Sequence, residues 1–237
     1  MVFISITVIS VVGLIMYMKL HLFHREEIRM CNYHHNPDII IFEDANFERA
    51  LIENNYFDRV PPFCISCFEG RQTLDLRDYQ IQSIPELVYF TGLEFLYVSD
   101  NFLKEINVSQ CPKLRRLFVD GNYLSSLDVS HNTALEILDC ENNKLRHLDL
   151  SQNVNLSIVD CRSNYLEQIV FPEFMPISSL MCSNNYLKEL KIPTGSEFFG
   201  SLFCENNYLG EFNLEDYPTL SVVNLNGEKE FLSPQKR

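Results

Sequence analysis

The sequence predicts an α/β repeat solenoid that is mostly β. Short coils should stack into a right-handed, curved array, with a parallel sheet on the concave side, short extended segments on the convex side and a small N-terminal helical cap. Three observations carry this prediction. Asparagines recur at Asn101, Asn122, Asn143, Asn164, Asn185 and Asn207, spaced 21, 21, 21, 21 and 22 residues, the kind of fixed period that marks stacked repeats. Each asparagine closes an apolar-x-x-apolar-x-Cys/Val-x-x-Asn-x-Leu pattern, clearest in "LEILDCENNKLRHLDLSQNVN" and "LSIVDCRSNYLEQIVFPEFMP". A second short apolar alternation follows it.

Strand geometry explains the pattern. Alternate residues of a strand share a face, so Leu138 with Cys140, and Val159 with Cys161, point to the interior. The second alternation (Leu148 and Leu150, Ile169 and Phe171, Leu190 and Ile192) makes an extended segment on the opposite side. One coil cannot bury two apolar edges alone. Coils stacked at the strand spacing of about 4.8 Å merge those edges into one core. Where the chain turns off the strand its backbone groups lack ladder partners, and an asparagine side chain can both donate and accept to satisfy them. All six asparagines are therefore read as structural.

The units in "LDVSHNTALEILDCENNKLRHLDLSQN" resemble the Cys- and Asn-rich leucine-rich-repeat proteins of bacterial cell surfaces, whose unit also has 21 residues. Upstream, "DANFERALIENNYFD" and "TLDLRDYQIQSIPELVYFTGLEFLYVSDN" resemble that family's N-terminal cap and first coil, so the resemblance covers roughly residues 38 to 227. It implies a leucine-rich-repeat fold, binding of a partner in place of catalysis, and a place at the cell envelope.

Residues 1–23 are expected to be a transmembrane anchor or uncleaved signal. Val2 to Met18 carries no charge, and a helix of 22 residues from Val2 spans about 33 Å against a bilayer core of about 30 Å, with Lys19 snorkelling. A basic leader and a small-x-small cleavage site are both missing, which favours a retained anchor. "HREEIRMCN" is a poor lipoprotein box. Lys19, His21, His24 and Arg25 after the span would keep the repeats inside by the positive-inside rule, whereas the resemblance implies the exterior; the reading follows the resemblance. Residues 24–43 are a polar linker. A cap occupies 44–70, with Asp44 as N-cap and Phe47, Ala50 and Leu51 on one helical face. Such a cap covers leucines and strand edges that an open solenoid end would expose. The repeat domain spans 71–227, from a degenerate first coil, Leu74 to Ile84 with Tyr79 at the asparagine position, to a last strand within Leu220 to Leu225. Residues 228–237 are a short tail in which no attachment module is expected.

Cys140, Cys161, Cys182 and Cys204 occupy one unit position, filled elsewhere by Val98, Val119 and Leu225, so they are read as small buried apolar side chains. A soft-metal ladder is the weaker alternative. Cys111 stands where Asn132 and Asn153 lie in later units, as a tolerated substitution. Cys64 and Cys67 form a C-x-x-C pair beside the cap: a disulfide staple, free thiols, a redox pair, or half of a zinc site completed by Cys31 with His34 or His35. No cofactor is expected.

Function should lie on side chains that the core does not dictate. Concave positions give Phe95, Tyr97, Arg116, Phe118, Asp139, Asp160 and Arg162 as candidate ligand-binding residues, an aromatic patch beside an acidic group that adds Asp120 and Glu141. The competing reading is a cap folded over that patch, or a solvated charged face. Phe102, Tyr123, Tyr165, Tyr186 and Tyr208, interrupted by Lys144, should stack as an edge ladder; a glycan-binding row is the alternative.

The net charge of −13 argues against nucleic acid, which needs a basic footprint. Phosphate loops, nucleophile elbows and paired-histidine zinc helices are absent from the sequence, and paired carboxylates on an open strand face lack the enclosed site that glycoside hydrolysis needs. The prediction is a non-enzymatic, monomeric, protein-binding solenoid at the cell envelope, attached to the membrane through its N-terminal segment. Its partner is a protein, basic or glycosylated. The alternatives are a small thiol or zinc protein using Cys64 and Cys67, and an envelope spacer.

Overall fold

The computed structural model describes residues 39–40, 42–54, 56, 63–64, 68, 70–193, 200–210, 222–224 and 229–231. The expectations for the N-terminal membrane segment, Cys31, Cys67 and the Cys64 side chain lie outside the described residues. Among those residues no helix is long and apolar enough to cross a membrane. The chain divides into two compact units, Met1–Ile41 with Phe57–Cys67, and Phe42–Tyr56 with Phe68–Arg237. In the first, β1 (Ile39–Ile40) pairs antiparallel with β2 (Phe63–Cys64).

The second unit is a parallel β-solenoid. Its nine-stranded sheet contains β3 (Thr73–Asp75), β4 (Phe95–Tyr97), β5 (Arg116–Phe118), β6 (Ile137–Asp139), β8 (Ile158–Asp160), β10 (Ser179–Met181), β11 (Ser201–Phe203), β12 (Val222–Asn224) and β13 (Lys229–Phe231). Strands β3 to β12 run parallel in strict register, so Leu74, Leu96, Leu117, Leu138, Val159, Leu180 and Leu202 stack on one another. These and the row Val98, Val119, Cys140, Cys161, Cys182 and Cys204 are buried. On the opposite side, β7 (His147–Asp149) pairs with β9 (Gln168–Val170), bringing Leu148 against Ile169. Leu150 is fully buried there, whereas Phe171 keeps partial exposure.

Helix α1 (Ala45–Glu53) starts where the sequence placed it. The Asp44 carboxylate accepts from the backbone N–H groups of Asn46 and Phe47, and Phe47, Ala50 and Leu51 are buried. Its other oxygen accepts from the N–H of Gln82 at 2.6 Å and of Ser83 at 3.2 Å, tying the cap to the first coil. Phe47, Phe68 and Phe90 are fully buried, with Phe42 edge-on to Phe47 at 5.3 Å and Phe68 edge-on to Phe90 at 4.8 Å. The sequence reading did not anticipate the β1–β2 pair, the 3-10 helix Pro85–Tyr89, whose Pro85 presets the first turn, or β13, which adds antiparallel to β12 inside the expected tail.

The asparagines form the ladder that the period implies. Asn143 donates to the carbonyls of Val119 (2.9 Å), Cys140 (3.2 Å) and Glu141 (3.2 Å), and accepts from the N–H of Leu124 at 2.9 Å. Asn122, Asn164 and Asn185 repeat these contacts one coil apart. The residue before each ladder asparagine has positive φ: Asp100, Gly121, Asn142, Ser163, Asn184 and Asn206. Glycine takes that conformation freely, and Asn and Asp tolerate it best among the other residues, which explains the Asn-Asn pairs of the sequence. A second row, Asn132 and Asn153, is fully buried on the far side. Asn132 donates to Val108 and Cys111, and Asn153 to Val129 and Asn132.

Candidate functional site

Each concave strand turns its middle residue inward and its flanking residues outward, so the parallel register assembles three outward rows. The row at the strand ends reads Asp75, Tyr97, Phe118, Asp139, Asp160, Met181 and Phe203. In front of it run Phe95, Arg116, Ile137 and Ile158, and two residues beyond it run Arg77, Ser99, Asp120, Glu141 and Arg162. Six of the seven predicted residues thus fall on adjacent strands, and Arg162 stands two residues past the end of β8. Phe95, Tyr97, Phe118, Ile137 and Ile158 are all half-buried.

The rings form a platform. Tyr97 and Phe118 stack with centroids 5.0 Å apart and planes 17° from parallel. The guanidinium of Arg116 lies over Phe95 at 5.3 Å, and that of Arg77 over Tyr97 at 5.5 Å. Arg77 also donates to Asp75, 2.9 Å from its Nε, which holds the Asp75 carboxyl below the ordinary range. Sequence reasoning missed Arg77. An Asp-x-Arg spacing at the end of a strand was the available signal, and it recurs in Asp160-x-Arg162. Hydrogen bonds from the cap helix and Tyr56 reach the first coil: Asn46 to the Gln80 carbonyl, Arg49 to the Tyr79 carbonyl, and Asn54 and Tyr56 to the Asp75 carbonyl.

Beside the platform lies the acidic group. Asp160 is 5% exposed and bound by Arg162 through Nε at 2.9 Å, while Nη2 of the same arginine donates to Glu141 at 2.7 Å. These contacts hold the guanidinium firmly in its charged form. Asp139 forms no such ion pair among the described residues. Burial, with repulsion from Asp120, Asp160 and Glu141, pushes its carboxyl up to about 7, against the hydrogen bond it accepts from the Glu141 N–H at 3.1 Å.

Along the edge, Tyr165, Tyr186 and Tyr208 stack at 6.0 and 5.8 Å with planes within 14° of parallel. Phe102 and Tyr123 are tilted at 6.1 Å, and the Lys144 ammonium lies 4.8 Å above Tyr123. The tyrosine faces are turned to one another, so the row is a ladder. It borders a shallow groove of about 540 Å³ with Asn142, Ser163, Asn184 and Asn206.

Cys111, Cys140, Cys161, Cys182 and Cys204 are free buried thiols. Burial raises the ionisation of Cys140 and Cys161 far above the usual thiol range, and that of Cys111 to about 11, so they stay protonated at neutral pH. Among the described residues no group of three or more His, Cys, Asp or Glu side chains is placed to hold a metal ion.

No protein-family model matches the sequence, and no curated protein matches it. Solved structures do share the fold. Internalin C2 of Listeria monocytogenes is similar over 78% of this chain and 95% of its own, at 15% identity and a TM-score of 0.54. The leucine-rich repeat domain of APL1B is similar over 72% of this chain at 21% identity and a TM-score of 0.55. The functional domain of InlJ from Listeria monocytogenes, which includes a cysteine ladder, matches over 78% of this chain at 20% identity and a TM-score of 0.45. The chain spans 62% of the APL1B domain and 55% of the InlJ domain. The fold is that of a leucine-rich-repeat solenoid.

Proposed function

We propose that this chain is a non-enzymatic protein-binding module that captures a protein partner on the concave face of its sheet and is held at the cell envelope by its N-terminal segment. The observation that carries the reading is the Tyr97–Phe118 stack, flanked by Phe95, Arg116 and the Asp139–Asp160–Arg162 group, on strands whose core is complete without these side chains. Half-exposed aromatic rings are costly to leave in water, and aromatic and arginine anchors dominate protein interfaces. Asp139, Asp160 and Arg162 give the surface its charge pattern, and that pattern suits a basic partner.

Crosslinking capture with the full chain tests this. Replacing Tyr97 and Phe118 by alanine should abolish capture while the far-ultraviolet circular dichroism stays unchanged; retained capture sinks the concave-face reading. Membrane attachment through residues 1–23 is checked by extraction at high pH, with protease protection of the repeats reporting their side of the membrane. Zinc analysis with thiol counting addresses the Cys64 and Cys67 alternative: stoichiometric zinc would transfer the function to that pair.

A further inference from the structure

The outward row is symmetric about its aromatic pair: Asp75, Tyr97, Phe118, Asp139, an acid at either end of two stacked rings. At one end the arrangement is complete. Asp75 holds Arg77, whose guanidinium lies over the neighbouring ring of Tyr97 at 5.5 Å. This sandwich suits a planar guanidinium, which bonds a carboxylate through its edge and an aromatic ring through its face. At the other end the same strand position carries Asp139, and the residue two places on is Glu141 in place of an arginine. Arg162, from the next coil, is taken by Asp160 and Glu141. Asp139 therefore makes no ion pair among the described residues, although Arg162 lies within Coulomb reach, and its register partner Phe118 stacks on Tyr97 of the preceding strand.

We propose that an arginine side chain of the protein partner enters between Phe118 and Asp139, completing from outside the clamp that Arg77 completes from within at Asp75 and Tyr97. This rests on the concave-face reading above and names the chemistry that the face recognises: a partner segment carrying arginine. Charge complementarity supports it. Asp120 and Glu141 flank Asp139, and the chain as a whole carries a net charge of −13. Lysine is a poorer fit, because an ammonium has no planar face to lay on Phe118.

The groups around Asp139 are Asp120 from the coil before, Asp160 and Arg162 from the coil after, and Glu141 from its own coil. Three of these four repel its ionised form, and Arg162 is committed to Asp160 and Glu141. An incoming guanidinium relieves that repulsion, so binding should lower the titration midpoint of Asp139 and should weaken as the pH falls through neutrality.

The test uses the full chain, labelled with carbon-13 at aspartate carboxyls and phenylalanine rings and followed by NMR. The probes are the capped tripeptides acetyl-Gly-Arg-Gly-amide, its citrulline counterpart and its lysine counterpart. The arginine tripeptide should shift the Asp139 and Phe118 signals together, lower the Asp139 midpoint and leave Asp75 unmoved, while citrulline gives no response. Asp139→Asn should weaken the arginine response roughly tenfold or more. Phe118→Leu, which keeps apolar bulk, should weaken it less and keep the fold. An equal response to citrulline or lysine, or an unchanged response in Asp139→Asn, overturns the proposal. Capture that depends on Tyr97 and Phe118 but ignores Asp139→Asn sinks the arginine assignment and leaves the concave-face function standing; capture indifferent to all three removes both.

Discussion

Replacing Asn143 by alanine isolates what one rung of the asparagine ladder contributes. The Val119 carbonyl accepts from Asn122 at 3.0 Å as well as from Asn143, and the Cys140 carbonyl accepts from Asn164 at 2.9 Å. The Glu141 carbonyl also accepts from the Gly121 N–H at 3.0 Å. Each carbonyl therefore keeps a partner when Asn143 is lost. The Leu124 N–H does not: its partner is the Asn143 side-chain oxygen, and Leu124 is fully buried. One orphaned buried donor costs about 1–3 kcal/mol, and the void left by the shorter side chain brings the total to about 2–4 kcal/mol. With a urea slope of about 2 kcal/mol per molar, the unfolding midpoint should fall by about 1–2 M at unchanged slope. Asn143→Asp should cost at least as much at neutral pH. It keeps an acceptor for Leu124 but sets a carboxylate oxygen against the three carbonyls of Val119, Cys140 and Glu141. A loss below about 1 kcal/mol for Asn143→Ala would refute the idea that the ladder works by satisfying the amide of the preceding coil.

The second asparagine row should behave differently. Asn153 donates to two carbonyls that have other donors, and its own oxygen has no partner among the described residues, so Asn153→Cys, copying Cys111, should cost under about 1 kcal/mol by urea unfolding. Asp139→Asn should stabilise the protein at pH 8 and be near neutral at pH 4. A carboxyl raised to about 7 keeps a proton that the unfolded chain releases near pH 4, so the native state loses stability as pH rises between these values. A buried shift of this size is worth about 4 kcal/mol, and solvent on the concave side reduces it to about 1–2 kcal/mol. Thermal unfolding across that pH range reads the difference. Cys161→Val should be tolerated, since Val98 and Val119 fill the same row, whereas Cys161→Ser should cost about 1–3 kcal/mol by burying a hydroxyl. The five buried thiols of the described residues, Cys111, Cys140, Cys161, Cys182 and Cys204, should resist thiol reagents in the native protein and react on unfolding.

The repeat was legible because its period and its core share one geometry. Leu138 and Cys140 face inward for the same reason that Asn143 closes the turn, and every coil restates the constraint. The cap helix was legible through Asp44, Phe47, Ala50 and Leu51, whose spacing encodes both the N-cap and the buried face. The 3-10 helix at Pro85 and the antiparallel strand β13 were not legible. Each occurs once, without a repeat to average over, and β13 is set by an available sheet edge instead of by its own short pattern.

At the candidate site the division is sharper. The sequence alone determined which side chains stand outward and in what order, because register with a fixed period is enough to line up Tyr97, Phe118, Asp139 and Asp160. Only the tertiary structure decided how those side chains use one another. Arg77 is spent on Asp75 and Tyr97, Arg162 on Asp160 and Glu141, and Asp139 is left to repulsion and burial. Pairings of this kind depend on distances between coils about 21 residues apart in the chain. Such distances exist only once the coils have stacked, when Coulomb and ring interactions act across a few ångströms of partly excluded water.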